Sequence, residues 1–162
     1  MDRKMRGLTI MELLVVIAII SILAGVGIIT YNRQVQEARL REAANLLVGL
    51  LEETKTRSST RAVMFGIRAN ANANNLQVCQ VSSNTNCQPN DQCRTINLPS
   101  GITISETVIA FDRMGYPRDA SCGIGMQSIV LTAQGIGKSR TICINRYGRI
   151  RIVEGNQCPS EN

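Results

Sequence analysis

Three groups of residues in this 162-residue chain have the type and spacing to do chemistry. The first is one carboxylate, Glu12, at the head of an apolar run. From Leu13 to Ile29 no residue is charged and only Ser21 is polar. A carboxylate at a bilayer centre costs about 2.5–3.5 kcal/mol on insertion scales, less near the interface. Glu12 therefore needs a partner: either the partial positive charge at a helix start, or a free amine. Cleavage after Gly7 would make Leu8 the new N-terminus and Glu12 the fifth residue, so that its carboxylate could pair with the α-amine of a neighbouring copy. An apolar setting strengthens such a pair and penalises either charge alone.

The second group is basic. Between Ala120 and Val153 there is no acidic residue, while Lys138, Arg140, Arg146, Arg149 and Arg151 all fall there. Asn145 to Gly148 reads as a tight turn between two strands. On the second strand Arg149 and Arg151 share one face, and Ile150 and Ile152 the other. Two guanidinium forks would then stand about 6.5–7 Å apart by strand rise. Each fork can grip two phosphate oxygens, and Tyr147 could stack on a base or prop the turn. A plain alternative is a solvated strand face whose charge blunts a sheet edge.

The third group is six cysteines, Cys79, Cys87, Cys93, Cys122, Cys143 and Cys158, all beyond the apolar run. An even number in an exported domain predicts disulfides. The expected pairs are Cys143–Cys158, Cys79–Cys87 and Cys93–Cys122, from fifteen possible connectivities.

Other chemistry finds no support. With no histidine, imidazole catalysis and most zinc sites are excluded. No CxxC pair exists, and the glycine-rich loops match neither a P-loop nor GxGxxG. Glu106, Asp112 and Asp119 are scattered, and Lys138 and Ser139, as strand neighbours, face opposite ways. No catalytic residue, cofactor or metal site is expected.

These groups must be held by two kinds of element. Residues 1–7 form a short basic leader, and 8–30 an apolar helix long enough to cross a bilayer, with the leader on the cytoplasmic side. Residues 31–59 continue the helix: Leu40, Ala43, Ala44, Leu47, Leu50, Leu51 and Thr54 keep the spacing of one apolar stripe. The predicted helix runs from about Thr9 to Ser58. Residues 60–162 are β-rich, with strands expected over Ala62–Ile67, Leu76–Val81, Ile102–Ile104, Val108–Phe111, Ile129–Leu131, Arg140–Ile144 and Arg149–Val153. Turn clusters separate them, including Ser82–Gln92 and Met114–Pro117. The fold class is α+β, an antiparallel sheet domain packed on a long N-terminal helix. The net charge is +6, and falls to +4 once the leader (Asp2, Arg3, Lys4, Arg6) is removed. That mild excess suits acidic partners such as nucleic acid or anionic lipid.

The stretch from Gly7 through Leu8, Thr9 and Glu12 to Ala24 resembles the class III signal of type IV prepilins and type II secretion pseudopilins, with Leu8 where phenylalanine is commonest. The resemblance implies the type IV pilin-like fold. It further implies cleavage after Gly7 by prepilin peptidase, methylation of the Leu8 amine, and filament assembly through the N-terminal helices. A second resemblance covers nearly the whole chain. Phe111-Asp-Arg-Met-Gly115, Ile129–Leu131, Arg140–Ile144 and Tyr147-Gly-Arg-Ile-Arg151 are similar in layout to the GspH/FimT-type minor pilin domain. In FimT-like members of naturally transformable bacteria a Gly-Arg-x-Arg motif is implicated in DNA binding. Gly148-Arg149-Ile150-Arg151 matches it, which implies that Gly148 shapes the turn and that Arg149 and Arg151 contact phosphates. Lys138, Arg140 and Arg146 are supporting charges on grounds of charge proximity.

The expected function is that of a minor type IV pilin which binds extracellular DNA, without sequence preference, for natural transformation. The alternatives are a structural minor pseudopilin of a type II secretion system, or a surface-adhesion minor pilin. Partners would be other major and minor pilins, prepilin peptidase, the inner-membrane assembly platform, the membrane and DNA. The expected location is the bacterial inner membrane as a single-pass precursor with a periplasmic domain, then the extracellular filament.

Overall fold

A computed structural model describes residues 9–82, 86–89 and 91–159. Helix α1 spans Ile10–Arg61. Its start is capped: Thr9 Oγ1 accepts from the Glu12 amide at 3.3 Å, and the Leu13 amide donates to the Thr9 carbonyl at 3.2 Å. Thr9 and Glu12 thus stand in the S/T-x-x-E order that marks helix starts. At the other end Ala62 takes φ +52°, which closes the helix where the sequence suggested the opening of a strand.

The chain divides into an N-terminal unit ending at Val35 and a globular unit from Gln36. In the first unit Ile10, Met11, Leu13, Leu14 and their neighbours to Leu23 are exposed. The helix that contains them is long and apolar enough to cross a membrane.

Within the globular unit α1 lays one stripe on two antiparallel sheets. Leu40, Ala43, Ala44, Leu47, Leu51 and Thr54 are buried at the predicted spacing. Thr54 and Ser58 are the polar members of the stripe. Their hydroxyls donate to the carbonyls of Leu50 (2.6 Å) and Thr54 (2.9 Å), and Ser58 Oγ accepts from the Phe65 amide at 3.2 Å, which ties the helix end to the first strand.

Among the described residues nine strands follow: β1 (Phe65–Asn70), β2 (Asn75–Gln80), β3 (Asp91–Asn97), β4 (Ile102–Ile104), β5 (Thr107–Phe111), β6 (Pro117–Arg118), β7 (Gln127–Ala133), β8 (Ser139–Ile144) and β9 (Ile150–Glu154). They form a five-stranded sheet, β3-β2-β1-β5-β6, and a four-stranded sheet, β4-β7-β8-β9. Ile67, Leu76, Ile109 and Phe111 from the first sheet meet Ile129, Leu131, Ile142 and Ile144 from the second in one core. Each such side chain contributes about 1.5–3 kcal/mol on burial. No residue before Leu40 belongs to the described core, and all three disulfides lie beyond it, so the segment from Tyr31 carries what the fold needs.

Two strands were not among those expected, and each begins at the end of an expected turn cluster. β3 is an edge strand whose side chains are exposed from Gln92 to Asn97 apart from half-buried Ile96, so it lacks the apolar alternation that marks a strand. β6 is two residues long; it pairs with the end of β5, and Arg118 makes one further bridge to Ile124.

The disulfides are Cys79–Cys93, Cys87–Cys122 and Cys143–Cys158. The last pairing is the expected one, and the other two correct the sequence reading. The chain returns from the polar loop as β3, and the register breaks between Val78 and Gln80 to set Cys93 beside Cys79. Cys87 is fully buried and its amide donates to the Ala120 carbonyl at 3.1 Å, which brings it to Cys122 in the β6–β7 loop.

Candidate functional site

The basic hairpin of β8 and β9 is built around Asn145. Its side-chain oxygen accepts from the amides of Tyr147 (3.1 Å) and Arg149 (2.9 Å). Its own amide donates to the Arg149 carbonyl at 3.1 Å, and the Gly148 amide donates to its carbonyl at 2.8 Å. One asparagine therefore winds the five-residue loop, in the manner of an Asx turn. Gly148 takes φ +76° and is buried. A Cβ there would lie 2.6 Å from the Gly115 carbonyl oxygen. Glycine is thus required twice over, by backbone conformation and by close approach.

Lys55, on α1, locks the turn from below. Its Nζ donates to the Gly148 carbonyl at 2.7 Å, across 93 residues of sequence. The turn sits on the helix through this bond, and Gly148 is one member of a three-way contact between the helix, the 112–116 loop and the hairpin.

From that base the arginines project. Arg149 and Arg151 are exposed, while Ile150 and Ile152 are half-buried against the core, in the alternation read from the sequence. Arg151 stands opposite Cys143 in the register, and Cys143–Cys158 holds the tail beside it. Arg146 lies over the Tyr147 ring, 5.1 Å from its centroid, an arrangement favourable by about 0.5–1 kcal/mol at an exposed site.

Lys138 and Arg140 stand elsewhere. They lie towards the opposite end of β8 from Asn145, up to ~20 Å away by strand rise, and each meets a carboxylate. Lys138 Nζ is 2.8 Å from Glu37, and Arg140 is 3.3 Å from Glu154. With Leu40, Gly137, Ser139, Gly155 and Asn156, these four residues line a shallow cavity of about 370 Å³. The Glu37 carboxyl is held below its ordinary range, first by the hydrogen bond from Lys138 and then by Arg41. The sign follows: the charged pair contributes above the ordinary glutamate value of about 4.3 and is lost as pH falls through the lower folded value. Lys138→Ala is expected to return the Glu37 midpoint towards the ordinary range in a carboxyl-detected NMR titration; an unchanged midpoint would contradict the pairing.

Gly7 and Leu8 lie outside the described residues. Glu12 is described: it sits in the first turn of α1, exposed, with its amide engaged by Thr9. Sequence reasoning missed Lys55 and gave Asn145 no role beyond opening the turn. Asn145 was legible as a turn former, but Lys55 gave no signal, because its partner is a backbone carbonyl far along the chain.

The N-terminus matches the family model described as the prokaryotic N-terminal methylation motif, over residues 2–28. The fold is that of solved minor pilins and pseudopilins. The chain has a type IV pilin-like fold. It is similar to the minor pilin FimU of Pseudomonas aeruginosa, at 15% identity and TM-score 0.59, over 76% of this chain and 97% of that one. It is also similar to the minor pseudopilin EpsH of the Vibrio cholerae type 2 secretion system, at 12% identity and TM-score 0.55, over 72% of this chain and 97% of that one. No curated protein matches by sequence. The pilin-like protein therefore combines a methylation-type N-terminus with a disulfide-linked two-sheet domain whose hairpin carries exposed arginines.

Proposed function

We propose that this pilin-like protein is a minor type IV pilin that joins the filament through its N-terminal helix and captures DNA through Arg149 and Arg151. The carrying observation is the hairpin itself: Asn145, Gly148 and Lys55 fix its backbone, and two guanidinium groups stand exposed on it. A fixed backbone below exposed forks suits phosphate contact, which positions a ligand without reading sequence. Two or three such contacts give weak, salt-sensitive binding, and several copies in one filament would raise it by avidity. Processing at Gly7–Leu8 by prepilin peptidase, assembly through the platform, and a periplasmic and then extracellular position belong to the same reading.

A second reading has support of its own. The likeness to EpsH is close to that for FimU, and Lys138 and Arg140 are paired with carboxylates instead of enlarging the basic face. That favours a structural pseudopilin without DNA affinity.

Fluorescence anisotropy of the segment from Tyr31 with labelled DNA at low salt separates the two. Under the DNA reading, the double variant Arg149→Ala/Arg151→Ala weakens binding about tenfold or more at low salt. It also reduces the slope of log affinity against log salt by about 1.8, two phosphate contacts at ~0.9 each on duplex. Absence of wild-type binding at low salt would leave the secretion reading standing.

A further inference from the structure

We infer that the loop between β5 and β6, carrying Arg113, is a second arm of the same DNA-binding surface. This inference rests on the DNA reading of the hairpin. The two turns meet at glycines. The site of a Gly148 Cβ is 2.6 Å from the Gly115 carbonyl oxygen, and that of a Gly115 Cβ is 3.4 Å from Lys55 Cγ and Cε. The Lys55 stem therefore runs under both turns while its ammonium holds the Gly148 carbonyl. Gly115, like Gly148, is buried with positive φ, at +83°. Gly148 lies one residue before Arg149, and Gly115 lies two residues after Arg113. The close approach at the glycines thus brings together the two turns that carry these arginines.

The neighbouring carboxylate is already committed. Asp112 Oδ1 accepts from the amides of Met114 (2.9 Å) and Tyr116 (3.0 Å), which fixes the loop. Asp112 Oδ2 accepts from Arg118 Nη2 at 2.9 Å and Nε at 3.2 Å. Arg118 therefore neutralises Asp112 and leaves the Arg113 charge uncompensated. Among the described residues no ion pair involves Arg113, Arg146 or Arg149, and all three are exposed. This end of the domain differs from the Lys138 end, where carboxylates answer the cations. Met114 is 81% exposed and Tyr147 65%, so each turn also presents an apolar side chain beside its arginine.

The ligand class is the DNA phosphate backbone, met by two turns from different sheets. A strand lying across both would use Arg149 and Arg151 on one side and Arg113 on the other.

The test is anisotropy of the segment from Tyr31 with two labelled DNAs of unrelated sequence, across a salt series. Arg113→Ala is expected to weaken binding about three- to tenfold at low salt, equally on both sequences, and to lower the salt slope by about 0.9. Arg113→Lys, which keeps the charge, should hold the slope. Arg94→Ala on β3, the far edge of the same sheet, is the control and should leave affinity within about twofold; an equal loss there would reduce the effect to net charge and overturn the inference. The two proposals fail differently. If Arg149→Ala/Arg151→Ala abolishes binding while Arg113→Ala matches wild type, the second arm is wrong and the hairpin reading stands. If wild-type protein does not bind, both fall. Equal thermal melting of wild type and Arg113→Ala guards against a folding artefact.

Discussion

Gly148→Val is expected to lower the melting temperature of the globular domain by about 10 °C or more and, on the DNA reading proposed above, to take DNA binding with it. Two separate penalties combine at this position. A β-branched residue at φ +76° is held in a region that costs about 1–2 kcal/mol for L-residues. The new Cβ also falls 2.6 Å from a backbone oxygen of the neighbouring loop, which is itself fixed by Asp112. Relief requires the two turns to separate, and the Lys55 bond then stretches or breaks. Together these come to about 3 kcal/mol or more, and a domain of this size loses a few degrees per kcal/mol. Gly135 supplies the comparison. Its φ is +84°, but nothing lies within 4 Å of where its Cβ would be. Gly135→Val should therefore cost only the conformational part. Equal melting shifts for the two variants, measured by circular dichroism, would show that contact with Gly115 contributes nothing.

On the pilin reading proposed above, Glu12→Val should abolish incorporation into the filament while leaving the protein in the membrane. The structure separates the two roles that Glu12 could play. Its contribution to the helix cap is made by the main-chain amide, which donates to Thr9 Oγ1. Valine keeps that amide and removes only the carboxylate. Thr9→Ala does the reverse, breaking the cap at a cost of about 1 kcal/mol while keeping the charge. If the carboxylate pairs with the amine of a neighbouring subunit, Glu12→Val is lost from sheared filaments and Thr9→Ala is retained. If Glu12 serves only to start the helix, Thr9→Ala is the more damaging. Immunoblots of the sheared and membrane fractions distinguish the outcomes, since insertion of an apolar helix does not need the acid.

The helix was legible because its signals are local. An uncharged run, a first-turn acid at Glu12 and a stripe from Leu40 to Thr54 are each readable from nearby residues. Seven strands were likewise marked by short apolar runs. β3 escaped because an edge strand with one face in solvent and little on the other has no periodicity to read. The pairing of Cys79, Cys87 and Cys93 escaped for a related reason: the three lie within fifteen residues, and proximity in sequence cannot tell which strand returns beside which. The site was half legible. Arg149, Arg151 and Gly148 were marked by motif and alternation. The separation of Lys138 and Arg140 from them was not, since it depends on the length of β8 and on Glu37, which approaches from a helix a hundred residues away. The contacts of Lys55 and Gly115 with Gly148 belong to the same class of fact, visible only when chain segments meet.

The crossed pattern of the first two disulfides bears on how the chain matures. Synthesis presents Cys79, Cys87, Cys93 and Cys122 in that order, and Cys87 lies inside the loop that Cys79 and Cys93 close. Oxidation in order of appearance would join Cys79 to Cys87 and strand the native partners of both. Reaching the observed connectivity requires either a delay until β3 has formed or attack by a later thiolate on the premature bond. By the second route, this protein's yield depends on enzymes that shuffle bonds and not merely on those that introduce them.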